Sequence, residues 1–259
     1  MNILFIADVV GLPGRQALAE RLQSLRHELD VDICIVNGEN VADGVGITPK
    51  LAKKLFEFGA DAITLGNHTW RRPEVVGWID TDERVVRPAN FSKRAPGRAL
   101  TFVPARDGTT VAVINVMGYL FLEVAYNPFE VIDDLVEEAR AQTPVVFVDM
   151  HGEATSEKVA LSRWLDGRVT AVIGTHTHVQ TNDARVQPGG TAALTDAGMT
   201  GPHDSVIGVT AEQAISRMRT GLPVRFETAQ GGIRIEGALV ECTPDGRATR
   251  CETVRVEVT

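Results

Sequence analysis

The sequence predicts an α/β fold built on parallel strands joined by crossover helices. Two observations carry that expectation. Short apolar runs alternate with helix-periodic stretches through roughly the first third of the chain, the rhythm of βαβ units. Each run also ends in a polar cluster (AD at 7–8, NGEN at 37–40, GNH at 66–68). Ligand sites in open α/β sheets gather at the carboxyl ends of the strands, so three successive strands deliver acids, amides and a histidine to one edge.

NILFIADVV reads as the first strand. The stretch after it, PGRQALAERLQSLRHEL, repeats Ala17, Leu18, Leu22, Leu25 and Leu29 at helical spacing. DICIVNGEN and TPKLAKKLFEFGA give the second strand and helix, DAITLGNH and RRPEVVGWI the third pair. In ALTFVPARDGTTVAVINVMG, the turn RDGT between two strand-like runs predicts a hairpin. The apolar residues of MGYLFLEVAYNPF are assigned to the core by default, although a homo-oligomer interface would use the same side chains. VVFVDMHGE and VTAVIGTHTH read as strands bridged by a helix over TSEKVALSRWLDG. Past residue 222 the chain reads as antiparallel strands, with turns at GG 231–232 and PDG 244–246. With no repeat, linker or low-complexity segment, a single domain over 1–259 is expected.

Composition excludes several functions. Hydrophobic residues at 44% and charged residues at 23% describe an ordinary globular chain able to bury its own core. A net charge of −8 argues against a general nucleic-acid surface, which needs a basic face. It does not exclude a small anionic substrate, because bound metal can reverse the local field. No apolar run approaches the ~20 residues of a membrane span. MNILFIADVVG lacks the basic start of a signal peptide, so a cytoplasmic location without membrane contact is expected. The three cysteines, Cys34, Cys242 and Cys251, show no CxxC spacing and indicate neither a disulfide framework nor a thiolate zinc site. Cys34, inside DICIV, reads as a small core residue.

Two histidines one residue apart, His176 and His178 in GTHTHVQ, follow the apolar run VTAVIG. If the strand continues through them, side chains two apart point the same way and both imidazoles converge. The other strand ends supply Asp8, Glu39, Asn40, Asn67, His68 and His151. Each alone has an ordinary reading: Asp8 as a helix N-cap, Glu39 and Asn40 as a turn, Asn67 as a left-handed loop residue, His151 as a hydrogen-bonded structural histidine. Together they point to a metal centre. Carboxylate, carboxamide and imidazole without thiolate suit Mn, Fe, Co or Zn. The set is too large for one four-coordinate ion. It suffices for two ions sharing a bridging carboxylate, the arrangement that clamps attacking and leaving oxygens in phosphoryl transfer. The residues therefore predict a two-metal hydrolase.

The segments ADVVGLPGR, NGENVADGVGIT, TLGNHTW, RPAN, DMHGEATSEK, VIGTHTHVQT and TDAGMTGP run from residue 7 to 202. In this order they resemble the calcineurin-like metallophosphoesterase superfamily, and within it the YmdB family of metal-dependent phosphodiesterases. The resemblance implies a metallophosphoesterase-like four-layer αββα sandwich with mixed sheets. It implies one metal held by Asp8, Glu39, Asn40 and His178, and a second held by Glu39, Asn67, His151 and His176, with Glu39 as the bridge. His68 would be the general acid. The ions would be two divalent or mixed-valence transition metals, iron first, with Mn or Zn as alternatives. Three departures stand out. Asp8 is followed by Val9 and Val10 where the superfamily usually carries Asp-x-His, a gap that Asn40 fills. Thr69, Trp70 and Arg71 follow GNH where an acid usually orients the histidine, so sequence assigns no such group to His68. Gly152 stands where relatives carry Ala, a change expected to be tolerated.

The mechanism these residues imply is in-line attack by a metal-bridging hydroxide on phosphorus, with His68 protonating the departing alkoxide. The substrate would be a small phosphate ester, a 2′,3′- or 3′,5′-cyclic nucleotide. Two divalent ions against two carboxylates and a hydroxide leave one positive charge, which a phosphodiester monoanion balances. Arg87 and Asn90 of RPAN, the segment 198–203 ending at His203, and Arg71 and Arg72 are candidates to line the cleft. Each also has a bland reading as turn structure or solvated surface. One rival is a phosphomonoesterase acting on nucleotides or phosphoproteins. Another is a non-catalytic regulatory or scaffold protein with a structural metal site, which would have no use for the acid His68. A zinc peptidase is discarded because HExxH is missing.

Overall fold

In the computed structural model, which describes residues 1–122 and 126–258, the first third of the chain builds a parallel sheet. β1 (Asn2–Ile6), β2 (Ile33–Asn37), β3 (Ala62–Thr64) and β4 (Val85–Val86) pair in sequence order, with Ile3 against Ile33, Ile35 against Ala62 and Ile63 against Val85. Helices α1 (Gly11–Glu28) and α2 (Pro49–Phe58) make the first two crossovers. The third is shorter than the sequence predicts. RRPEVVGWI forms only a 3₁₀ turn at Pro73–Val75, followed by further turns, and no α-helix. Its proline can start a helical turn but cannot extend one backward, and Gly77 interrupts the run.

The second sheet begins with the expected hairpin, β5 (Leu100–Pro104) antiparallel to β6 (Thr110–Met117). β7 (Val146–His151) and β8 (Ala171–Thr175) add in parallel, with α3 (Ile132–Arg140) and α4 (Thr155–Trp164) as crossovers. β9 (Arg185–Val186) and β10 (Ala192–Leu194) complete the order β5-β6-β7-β8-β10-β9. The chain then returns to the first sheet through β11 (Gly201–Pro202), α5 (Ala211–Thr220), β12 (Ile233–Cys242) and β13 (Ala248–Glu257). The antiparallel reading past residue 222 holds for β12 and β13. β12 also lies antiparallel to β1, Ile3 facing Val240, which makes the sheet mixed.

Period-two alternation along the strands divides the core into layers. Ile3, Phe5, Ile35, Val113, Phe147 and Ile173 point between the two sheets, where the Phe5 and Phe147 ring centroids are 5.1 Å apart. Their neighbours Leu4, Ile6, Cys34 and Val36 face α1 and α2, meeting Leu18, Leu22 and Leu55. Ile114, Val146 and Val148 face α3 and α4 through Val136 and Leu161. Fully burying each such side chain contributes ~1.5–3 kcal/mol. The result is the expected four-layer αββα sandwich, with Cys34 in its core. The carboxyl ends of β1, β2, β3, β7 and β8 meet along one edge.

The stretch MGYLFLEVAYNPF departs from the core assignment. Met117 is buried, but Tyr119, Phe121 and Tyr126 are 44%, 85% and 64% exposed. Residues 123–125 of it lie outside the described residues. The chain leaves the sheet after β6, and the Glu157 carboxylate on α4 accepts the Tyr119 N–H at 2.9 Å. Among the described residues no helix is long and apolar enough to cross a membrane.

Candidate metal centre

Asp8 sits just past the end of β1. Its carbonyl oxygen accepts the Thr200 N–H at 3.0 Å, and the Val9 N–H donates to the Asn37 carbonyl, fixing the turn into α1. Glu39 and Asn40 follow β2, and the Asn37 side-chain oxygen accepts the Glu39 N–H at 3.1 Å. Asn67 and His68 follow β3, His151 ends β7, and His176 and His178 follow β8. Gly66 of GNH is required sterically, because a Cβ there would collide with His151 Nε2 and Glu39 Oε2. Gly152, by contrast, has open room, since an added Cβ meets nothing closer than 3.5 Å.

The two histidines of GTHTH converge for a different reason than strand alternation. β8 stops at Thr175, and His176 and His178 take left-handed φ values of 101° and 62°. Such conformations cost a non-glycine residue ~1–3 kcal/mol and persist only where surroundings over-determine them. Here a buried ion pair does so. Lys158 Nζ donates to Asp196 at 2.6 Å and to the Thr175 carbonyl at 2.9 Å. The same Asp196 oxygen accepts the Thr177 N–H and hydroxyl.

All eight residues read from the strand ends lie in one continuous chain of contacts. His151 Nε2 is 2.9 Å from Asn67 Oδ1, 3.1 Å from His176 Nδ1 and 3.4 Å from Glu39 Oε1. Glu39 Oε1 also accepts from Asn40 Nδ2 at 3.0 Å and lies 3.3 Å from His68 Nδ1. Asn40 Nδ2 is 3.1 Å from His178 Nε2, which is 3.3 Å from Asp8 Oδ2. His68 Nδ1 lies 2.7 Å from Asn40 Oδ1, and the His68 N–H donates to Glu39 Oε2. Asn40 is thus the group that orients His68, a role for which sequence offered no acid.

The electrostatics follow from burial among opposite charges. Burial alone would raise Glu39, but His151 and His68 beside it hold its carboxyl well below the usual range. Burial opposes charge on His151 as well, yet the Glu39 carboxylate raises it to about 9. His176 goes the other way, to about 3, through burial and the neighbouring His151. His178 is raised against the cost of burial by Asp8.

These side chains fit bound cations. Among the described residues, Glu39, His151 and His176 offer ligand atoms within 4.8 Å of one another. Asp8 Oδ1 is buried without a hydrogen-bond partner, an arrangement that is costly unless something positive completes it. The donors are carboxylate, carboxamide and imidazole, a set suited to transition ions of intermediate softness.

Of the other cleft candidates, the segment 198–203 lies against Asp8 through the Thr200 backbone, and the rest are structural or surface residues. Buried Arg87 donates to the carbonyls of Pro88, Ala95 and Pro96, and Asn90 bonds Met117 and Tyr126; both hold loops. Arg72 caps the carbonyls of Ala42 and Val45, while Arg71 is exposed surface. His203 meets Met199 and Glu236, apart from the cluster. Asp149, Thr175, Lys158 and Asp196, buried beneath the centre, escaped the sequence reading. The available signal was an acid inside the apolar run VVFVDM.

Comparison with known proteins adds the family. The model of the YmdB-like protein family matches residues 4–254. A 2′,3′-cyclic-nucleotide 2′-phosphodiesterase of Bacillus subtilis (strain 168) is 48% identical over 241 residues, covering 93% of this chain and 91% of that protein. The crystal structure of a hypothetical protein from Thermus thermophilus superposes with a TM-score of 0.92 at 39% identity, covering 99% of both chains. That of a novel phosphatase from Mycoplasma pneumoniae does so with a TM-score of 0.92 at 32% identity, covering 99% of this chain and 93% of that one.

Proposed function

The chain belongs to the YmdB-like protein family and is a phosphoric ester hydrolase, and we propose that it is a dinuclear metal-dependent phosphodiesterase of cyclic nucleotides, the 2′,3′-cyclic forms first. Asp8, Asn40 and His178 would hold one ion and Asn67, His151 and His176 the other, with Glu39 shared by both. When bound, the ions polarise the phosphoryl oxygens and lower the pKa of water. The observation that supports this reading is the position of Glu39, whose Oε1 lies between His151 Nε2 on one side and Asn40 Nδ2 on the other. A half-turn of the Asn40 amide would turn its oxygen toward Glu39 and His178 and its NH₂ toward His68 Nδ1, so that the neutral His68 ring carries its proton on Nε2.

His68 is proposed as the general acid. Its Nδ1 is engaged by Asn40, which leaves Nε2 unbonded on a side chain about a quarter (26%) exposed. As water attacks phosphorus and releases one proton to solvent, the bond to the ribose oxygen breaks and that oxygen takes the proton from His68, which solvent then reprotonates. The protein is proposed to act as a single domain. The relative of 48% identity, named for a 2′,3′-cyclic substrate, supports the substrate class.

The test is hydrolysis of a panel by protein reconstituted with Fe, Mn or Zn. It contains bis-p-nitrophenyl phosphate, p-nitrophenyl phosphate, and 2′,3′- and 3′,5′-cyclic AMP. Preference for 2′,3′-cyclic AMP and the diester is expected. Monoester preference would replace the reading with a phosphatase, and absence of turnover with two metals bound would replace it with a regulatory role.

A further inference from the structure

We infer that Asp149 is a positioning residue which, through the Thr175 hydroxyl, fixes the ring tautomer of His151 so that the Nε2 lone pair faces the metal centre. This rests on the reading of His151 as a ligand. Asp149 is fully buried on β7, two residues before His151 and therefore on the same face. What it meets is three donors: Asn37 Nδ2 at 3.0 Å and the Thr64 hydroxyl on Oδ2, and the Thr175 hydroxyl at 2.7 Å on Oδ1.

The direction of each bond can be worked out from proton supply. The Glu39 N–H can only donate, so the Asn37 atom that it meets at 3.1 Å is oxygen. The nitrogen of that amide therefore turns to Asp149. Thr175 has one hydroxyl proton, and the carboxylate takes it. Toward His151 Nδ1, 2.9 Å away, the hydroxyl then presents a lone pair. In the neutral ring Nδ1 must then carry the proton, and Nε2 is left bare toward Asn67 Oδ1, His176 Nδ1 and Glu39 Oε1. Ligating histidines are commonly held this way by a direct carboxylate or carbonyl. Here a hydroxyl is interposed.

The polarity of the relay makes a specific forecast for Asp149→Asn. The new amide would keep its oxygen where Asn37 and Thr64 both donate, turning its NH₂ to Thr175. The Thr175 proton would then rotate to His151 Nδ1 and drive the ring proton onto Nε2, the wrong nitrogen. Thr175→Val removes the relay without reversing it, and Thr175→Ser retains it.

Calorimetric titration with Mn²⁺, paired with nitrogen-15 NMR of the His151 ring in metal-free protein at a pH where the ring is neutral, tests this. Thr175→Val should weaken Mn²⁺ at one position by about 10- to 100-fold, Thr175→Ser should restore it, and Asp149→Asn should show the proton on Nε2. Should Asp149→Asn fail to fold, the valine–serine pair still decides. Wild-type affinity and an unchanged tautomer in Thr175→Val and Asp149→Asn would overturn the relay while leaving the metal site standing. A wild-type protein that binds no metal would overturn the site, and the ring NMR would still decide the relay.

Discussion

Replacing Lys158 by methionine tests whether one buried ion pair holds the loop that carries His176 and His178. The Lys158 and Asp196 side chains are 2% and 1% exposed and 2.6 Å apart. Methionine keeps much of the stem and deletes the charge. Asp196 is then a buried carboxylate whose remaining donors are the Thr177 N–H and hydroxyl and the Gly198 N–H. Breaking a buried pair from one side costs ~3–5 kcal/mol. Those surviving donors put this case at the lower end, ~3 kcal/mol. For a chain of this length each kcal/mol moves the midpoint by ~2–4 °C, so melting should fall by ~6–12 °C.

The same change should also weaken metal binding, because the turn that carries the left-handed histidines loses the Lys158 bond to the Thr175 carbonyl. Calorimetric melting of the metal-free protein and Mn²⁺ titration measure the two effects separately. The double variant Lys158→Met/Asp196→Leu removes the unpaired charge and should regain stability. It should not regain Mn²⁺ affinity, since Thr177 then loses its acceptor Asp196 as well. A Lys158→Met protein that melts within ~2 °C of wild type and binds Mn²⁺ unchanged would refute the reasoning.

His68→Ala should lower kcat by ~10²–10⁴ with metal content intact; loss of metal along with turnover would make His68 a ligand instead. Glu39→Ala should empty both metal positions in elemental analysis, and retention of two ions would end its bridging role. Metal affinity should depend on pH through His151. Its pKa is raised to about 9 by Glu39, against burial. The imidazolium–carboxylate pair therefore stabilises the metal-free fold fully below the unfolded value of ~6.5 and is lost as pH rises through about 9. A metal ion must displace that proton, so Mn²⁺ affinity should climb by about tenfold per pH unit for each proton released between roughly pH 7 and 9, then level off. A flat profile across that range would contradict the coupling.

How far sequence reaches here depends on whether the determining interactions are local. The polar clusters after β1, β2 and β3 were legible because a strand's period and its termination are written in consecutive residues. The hairpin of β5 and β6 was legible from its turn. The insertion of β12 beside β1 was not, since Ile3 meets Val240 only through the packing of the whole sheet. α5 carries an apolar stripe in the sequence (Ala211, Ala214, Ile215, Met218), yet only Ala214 is buried, and Ile215 and Met218 face outward. GTHTH shows how a sound expectation can rest on the wrong cause. The histidines converge because Lys158, Asp196 and Thr177 force a left-handed turn after β8, and none of those contacts is implied by the spacing. Asp149 is the opposite case, a missed residue whose signal was present. A carboxylate flanked by Val148 and Met150 on an apolar strand is costly to bury without donors, so its presence demands partners. Thr64, Asn37 and Thr175 stand at the ends of β3 and β2 in the facing sheet and of β8 beside β7, where the metal ligands also begin. The acid that looked out of place in the strand thus marks the floor of the site.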